Sequence, residues 1–227
     1  MSRPLSQFLD LGFHGDKYLI DLVFAAAKVC PQFVETGANV GSSLHYFAKH
    51  FPSTPCYSCE PDLEAFQAAQ SKIAEFKNVI LVNEPSPEFL YQREKTLAAQ
   101  DTLFWLDAHG YGFHWPLKDE IAFITRVCRR ARILIDDFQV PDQPQFSYDE
   151  YDGQVCGFGE IKDSLQTGIR YRLVYPCYTE KTSTFHPLRG WVLIEYGFDN
   201  PLPFPPSLAG KVRVSNWPPT GGAAIGS

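Results

Sequence analysis

The stretch Phe33-Val34-Glu35-Thr36-Gly37-Ala38-Asn39-Val40-Gly41-Ser42-Ser43 decides the fold. It reads as an apolar strand, a tight turn of small residues and the start of a helix. A unit of this kind opens a doubly wound α/β sheet, in which ligands bind at the carboxyl ends of the strands. Gly37 is expected to let the chain turn and a ligand approach the backbone. Gly41 is expected to let the following helix pack close to the strand. The first strand is then Gln32 to Glu35, and a helix runs from Ser42 to about His50.

The same alternation continues downstream, and it predicts βαβ units with a mostly parallel sheet. The second strand is Pro55 to Glu60. Asp62 is the N-cap of a helix carrying Leu63, Phe66, Ile73 and Phe76 on one face. The third strand is Asn78 to Asn83, followed by a helix over 87–99. The fourth is Thr102 to Asp107. The next helix starts near Pro116, a residue suited to the first helical position, and carries Leu117, Ile121, Ile124 and Cys128. The fifth strand is Ala131 to Asp136. A long loop follows from Phe138 to Tyr151, then a helix over Gly159 to Thr167. Tyr171 to Tyr175 and Trp191 to Tyr196 form a terminal antiparallel pair, joined by a loop holding Thr179 to Gly190. The expected architecture is one α/β domain over residues 1–197, with an N-terminal helical part at 1–31. It has a mostly parallel seven-stranded sheet with helices on both faces. Residues 198–227, rich in Pro and Gly, read as an extended C-terminal tail.

Bulk composition agrees with one domain. The chain has 227 residues, 44% of them hydrophobic, which suffices for one sizeable core. Its net charge of −6 provides no basic field of the kind that duplex DNA or an anionic membrane selects. Arg126, Arg129, Arg130 and Arg132 are the candidates for a local basic patch, and a solvated helix end accounts for them. The segment Tyr18 to Cys30 is broken by Asp21 and Lys28, so it reads as an amphipathic surface helix rather than a membrane span. No signal peptide is visible in MSRPLSQFLDLGFHG. Cys56 and Cys59 have C-x-x-C spacing, but they fall on a strand, where residues three apart point to opposite faces. The six cysteines are therefore read as buried free thiols of a reducing compartment, and the protein as cytoplasmic, with neither nucleic acid nor membrane as partner.

The turn is poorly suited to a dinucleotide, which needs glycine where Asn39 and Ser42 stand. An acid before a turn of E-x-G-x-x-x-G spacing suits a nucleoside that carries a cationic group, with Glu35 acting directly or through neighbours. Glu60 ends the second strand 19 residues after Gly41, where an acid accepts hydrogen bonds from both hydroxyls of an unphosphorylated ribose. Asn83, Glu84 and Ser86 end the third strand, where an adenine amino group would be read.

ETGANVGSS resembles the first motif of class I S-adenosylmethionine (SAM)-dependent methyltransferases, and YSCEPD resembles their acid-bearing second-strand end. The GAN and EP pieces are similar to the FkbM-type members. The resemblance covers about Gln32 to Tyr196. It implies a Rossmann-like methyltransferase domain. It also implies a cofactor site at Glu35, Gly37, Asn39, Gly41, Ser42, Glu60, Glu84, Ser86 and Asp107. Gly37 and Gly41 would lie beneath the methionine part and Glu60 on the ribose. This class often dimerises, so a homodimer is compatible with it. The readings that compete with it are a nicotinamide oxidoreductase and a non-catalytic nucleoside-binding module on the same fold.

The fourth and fifth strands end in WLDAHG and LIDDF. Asp107, Asp136 and Asp137 are expected on adjacent strand ends, where converging carboxylates repel unless protonated or bound to a cation. An all-oxygen set suits Mg²⁺, Mn²⁺ or Ca²⁺. The arrangement is similar to the metal-dependent catechol and macrocin O-methyltransferases. The catechol type has a general-base lysine three residues beyond its first metal acid. Gly110 stands there in this chain; His109, beside Asp107, or Lys118 could take the place of that base, and neither assignment follows from spacing. The other reading of the aspartates is an acid that faces the cofactor amine and a pair that caps a turn. Tyr111, Phe113, His114, Trp115 and the loop Phe138 to Tyr151 would wall an acceptor pocket for a sugar or phenolic ring. Lys181, His186 and Arg189 are candidates for an anionic group of that acceptor.

Overall fold

The five runs read from sequence as parallel strands each form a short parallel strand. β1 (Gln32–Thr36), β2 (Cys56–Cys59), β3 (Val79–Val82), β4 (Thr102–Leu106) and β5 (Ala131–Ile135) lie in the order β3-β2-β1-β4-β5. The computed structural model describes residues 12–108, 115–182 and 187–219. β1, β4 and β5 are buried at every position, so they show no in–out alternation, and their polar residues, among them Gln32, Glu35 and Arg132, are buried with the apolar ones.

The helices are α1 (Lys17–Ala27), α2 (Ser42–His50), α3 (Leu63–Ile73), α4 (Ser86–Gln92), α5 (Glu94–Ala99), α6 (Leu117–Val127) and α7 (Phe158–Ile161). The strand order reverses between β1 and β4. Right-handed crossovers therefore put the helices before and after the reversal on opposite faces. Accordingly α2 packs on α3, while α6 packs on α4, α5 and α7. Asp62 caps α3, its side chain accepting from the Ala65 N–H at 2.8 Å. The helix expected over 87–99 is two helices, because the backbone leaves the helical region at Arg93 (φ −102°, ψ 7°). The loop expected over 138–151 closes with a small hairpin, β6 (Glu150–Tyr151) with β7 (Gln154–Val155).

β8 (Tyr171–Pro176) and β9 (Val192–Tyr196) form the expected antiparallel pair, with β9 antiparallel to β5 as well. The segment after residue 197 corrects the expectation of a tail. β10 (Val212–Trp217) pairs antiparallel with β8, so the sheet has eight strands, not seven, in the order β10-β8-β9-β5-β4-β1-β2-β3. Leu202 and Leu208 are buried on the way to it. The Pro and Gly residues flank Val212–Trp217 instead of interrupting it, so composition averaged over the segment conceals a six-residue edge strand.

Arg132 is a second correction. Arg126, Arg129 and Arg130 are exposed, but Arg132 is buried in β5 and donates to Glu195 of β9 at 2.9 Å. Arg172 of β8 donates to the same carboxylate at 2.8 Å, and the Leu202 N–H adds a further bond. Cys56 and Cys59 are buried free thiols, and Cys177 is the least buried of six free cysteines. Among the described residues no helix is long and apolar enough to cross a membrane.

Candidate functional site

Strand register places the site. Thr36, Cys59, Val82, Leu106 and Ile135, the last residues of the five parallel strands, are partners across the sheet. The residues just beyond them, Gly37, Glu60, Asn83, Asp107 and Asp136, therefore form a row along one edge. Backbone bonds continue the ladder through that row. Gly37 N–H donates to Cys59 O at 3.1 Å, and Glu60 N–H to Val82 O at 3.0 Å. Asp107 N–H donates to Thr36 O at 3.0 Å, and Asp136 N–H to Leu106 O at 3.1 Å. The reversal of strand order between β1 and β4 falls in the middle of the row, where doubly wound sheets open a crevice.

Gly37 has φ +78°, a left-handed conformation that side chains disfavour. A Cβ there would stand 2.6 Å from the Asp107 carbonyl oxygen and 2.7 Å from Ala108 Cα. The glycine thus lets the end of β4 pass against the turn. Gly41 has φ +76°, and a Cβ there would meet Ala69 of α3 at 3.0 Å. Its close approach is to a helix, not to the strand expected from sequence. Asn39 is left-handed as well (φ 48°).

Glu60 is clamped by backbone. One carboxylate oxygen accepts from the Asn39 N–H at 2.6 Å and the other from the Asp62 N–H at 3.0 Å. Burial pushes its carboxyl up, and those two bonds pull the other way. Each oxygen keeps a further lone pair, so the clamp fixes the acid in place and leaves it able to accept a hydroxyl from the crevice. Asn83 braces the same turn, donating to Glu60 O at 2.7 Å. Beside it, Glu84 Oε2 and Ser86 Oγ are buried with no hydrogen-bond partner among the described residues. Such orphans are costly unless a ligand group meets them.

The other turn residues are committed within the fold. Glu35 is buried and accepts from Ser58 Oγ at 2.6 Å. Burial raises its carboxyl to about 8 against the opposing pull of that bond. Ser42 accepts from Lys72 at 2.9 Å.

Beyond β5 the structure departs from the sequence reading. Asp136 and Asp137 are both buried. However, the group they form is with His14, the three ligand atoms lying within 4.8 Å of one another. Asp107 lies outside that group, although its charge reaches His14. His14 Nε2 is 2.6 Å from Asp136 Oδ2. Burial alone would push the imidazole down. The charge and hydrogen bond of Asp136, with Asp137 and Asp107 behind, outweigh it and hold the group up at about 9. Arg189, expected to meet an anionic acceptor group, instead donates to Asp137 at 2.7 Å and Asp149 at 3.4 Å. Trp115 and Tyr151, two of the expected wall aromatics, meet edge to face at 5.9 Å. His109, Tyr111, Phe113, His114 and His186 lie outside the described residues.

His14 is the residue that sequence reasoning missed. The available signal was Gly12-Phe13-His14-Gly15-Asp16, a glycine-bracketed histidine before an N-cap aspartate. Phe13 (φ 54°), His14 (φ 57°) and Gly15 (φ 66°) form a left-handed turn. Two non-glycine residues in that region are uncommon and need support from their surroundings. Phe13 supplies it by packing on Trp105 at 5.0 Å, and its N–H donates to Ser43 Oγ at 3.3 Å. Asp16 supplies the rest. It caps α1 through the Tyr18 and Leu19 N–H groups and accepts from the Tyr178 hydroxyl, which in turn accepts from Trp191.

No family model matches the chain, and no curated protein matches it. Solved structures do match. An O-methyltransferase from Bacillus cereus, solved with SAH, aligns over 86% of this chain and 82% of its own, with TM-score 0.55 and 12% identity. TomG, an O-methyltransferase of tomaymycin synthesis from Streptomyces achromogenes, was solved with SAM. It covers 86% and 81%, with TM-score 0.51 and 15% identity. A Klebsiella pneumoniae protein described as an O-methyltransferase candidate covers 87% and 82%, with TM-score 0.54 and 16% identity. At these identities the likeness is one of fold: a single α/β domain with the Rossmann-like architecture of methyltransferases.

Proposed function

We propose that this protein is a SAM-dependent methyltransferase acting on a hydroxyl of a small-molecule acceptor. Glu60 carries the reading. It is an acid at the second strand end, held by two backbone N–H groups beside the glycine turn and ready to accept ribose hydroxyls. The orphaned Glu84 and Ser86 atoms would meet the adenine amino group. Gly37, Asn39, Gly41 and Ser42 shape the turn beneath the methionine part, and Glu35 lies behind it with Asp107 alongside. Structural neighbours solved with SAM and SAH support the same ligand class.

In the reaction the acceptor oxygen attacks the sulfonium methyl carbon. The C–O bond forms as the C–S bond breaks, SAM becomes S-adenosylhomocysteine, and the hydroxyl proton passes to a base. His109 is our proposed base and Asp107 its neighbour on the cofactor side. A divalent ion held by Asp136 and Asp137 would lower the pKa of the acceptor hydroxyl. The donor chemistry fits such an ion, since two buried carboxylates meet there with an imidazole beside them. Trp115 and Tyr151 suit a sugar or phenolic ring, and the net charge of −6 favours a small acceptor over nucleic acid. The buried free thiols fit a reducing, cytoplasmic setting.

Calorimetry tests the reading. SAM and S-adenosylhomocysteine should each bind saturably at one site, and NAD should give no heat. A folded protein that binds neither of the first two would overturn it. His109→Ala should lower kcat while leaving SAM binding intact.

A further inference from the structure

We propose that His14, Asp136 and Asp137 form a divalent-metal centre with one nitrogen and two oxygen donors, selective for a first-row transition ion such as Mn²⁺ or Co²⁺ over Mg²⁺ and Ca²⁺. The inference deepens the reading above, which places an ion on Asp136 and Asp137 and leaves its third protein ligand open.

Geometry comes first. One ligand atom from each of the three side chains lies within 4.8 Å of the other two, and small side-chain rotations would bring them to the roughly 4.2 Å or less that bonds of about 2.1 Å to a shared ion require. The donors come from distant parts of the chain and from rigid supports. Asp136 follows β5 and stays tied to the sheet through its N–H. Asp137 accepts from Arg189 at 2.7 Å, and its carbonyl accepts from the Asp149 N–H at 2.9 Å. Ligating carboxylates are commonly steadied from behind in this way. His14 is pinned on both sides, by Phe13 in the core and by the Asp16 cap with its Tyr178 partner.

Donor chemistry then selects the ion. Mg²⁺ and Ca²⁺ are hard ions that take oxygen ligands and bind imidazole poorly. Mn²⁺, Fe²⁺, Co²⁺ and Zn²⁺ accept a mixed N/O set. Two buried carboxylates converge on the imidazole, with Asp136 Oδ2 2.6 Å from His14 Nε2, and Arg189 braces Asp137 from the other side. Asp107, outside the group and packed against Gly37, is left to the cofactor side.

The test uses the full chain, stripped with chelator and titrated with Mn²⁺ by water-proton relaxation, and with Mg²⁺ by competition. Wild type should show one Mn²⁺ site that Mg²⁺ displaces only in large excess. His14→Ala and His14→Gln should weaken Mn²⁺ roughly tenfold or more while barely changing Mg²⁺. A variant-free check is Mn²⁺ broadening of histidine imidazole resonances in wild type, which should strike His14 before His45 and His50. No saturable Mn²⁺ binding, variants that bind it as wild type does, or broadening confined to the other histidines would each overturn the proposal. SAM binding is measured on the same samples. A His14-dependent Mn²⁺ site in a protein that ignores SAM would sink the methyltransferase reading and keep the metal centre. SAM binding with no Mn²⁺ site would do the reverse.

Discussion

Glu35 shows how one residue can couple cofactor, pH and stability. Its carboxyl, ordinarily near 4.5, is raised to about 8 by burial. The folded state therefore holds a proton that the unfolded chain releases at lower pH. The associated stability is complete below about 4.5 and is lost as pH rises toward 8, at about 1.4 kcal/mol per pH unit. Glu35→Gln keeps an oxygen to accept from Ser58 and removes the ionisable group. Its melting temperature should match wild type at pH 4.5 and exceed it at pH 8. A variant that melts below wild type at both pH values would contradict this. SAM brings cationic groups to the neighbouring turn, so the same variant should bind it more weakly above about pH 8, where the wild-type carboxyl is ionised. The strand-end row was legible in the sequence for a simple reason. Gly37, Glu60 and Asp107 each mark the point where a strand gives way to polar or small residues. His14 carries no such mark. It follows no periodic run, and its partner Asp136 lies 122 residues away, a distance that local pattern does not span.

At the scale of the element, the turn at 12–15 and α1 act as one device. Asp16 accepts from two N–H groups at the start of α1, at 2.9 and 3.3 Å, and also from Tyr178. Asp16→Ala removes a cap worth about 1 kcal/mol. It also strips the buried Tyr178 hydroxyl of its acceptor, at about 1–3 kcal/mol. Chemical denaturation should thus show a loss of roughly 2–4 kcal/mol. If His14 is a metal ligand, Mn²⁺ affinity should fall in this variant as well. Asp62→Ala removes an equivalent cap from α3, remote from His14, and should leave Mn²⁺ affinity alone. The helices were readable because caps and apolar spacing are local. β10 was not, because edge strands are short and half exposed, and their pairing partner is set by the sheet. Arg132 escaped for a related reason. An arginine in a strand reads as solvated until its buried acid is known, and Glu195 is 63 residues downstream.

Across the whole molecule, the site joins two groups of elements. The glycine turn, Glu60 and Asn83 belong to β1–β3 with α2 and α3. Asp107, Asp136 and Asp137 belong to β4 and β5, against which the His14 turn leans. A ligand in the crevice bridges both groups, so binding should stabilise the fold as a unit. At 100 times its Kd, SAM should add about 2.7 kcal/mol. For a domain of this size each kcal/mol raises the melting temperature by about 2–4 °C, so the expected shift is roughly 5–11 °C. S-adenosylhomocysteine at the same saturation should give a similar shift, and NAD none. His14→Ala should retain the full SAM shift, because the imidazole meets Asp136 rather than the row from Gly37 to Asn83. Mn²⁺ should add its own shift in wild type and a smaller one at the same concentration in that variant. If the two ligands occupy one continuous crevice, their combined shift in wild type should exceed the sum of the separate ones. Strict additivity would instead place the metal centre apart from the cofactor site and argue against a direct role in methyl transfer.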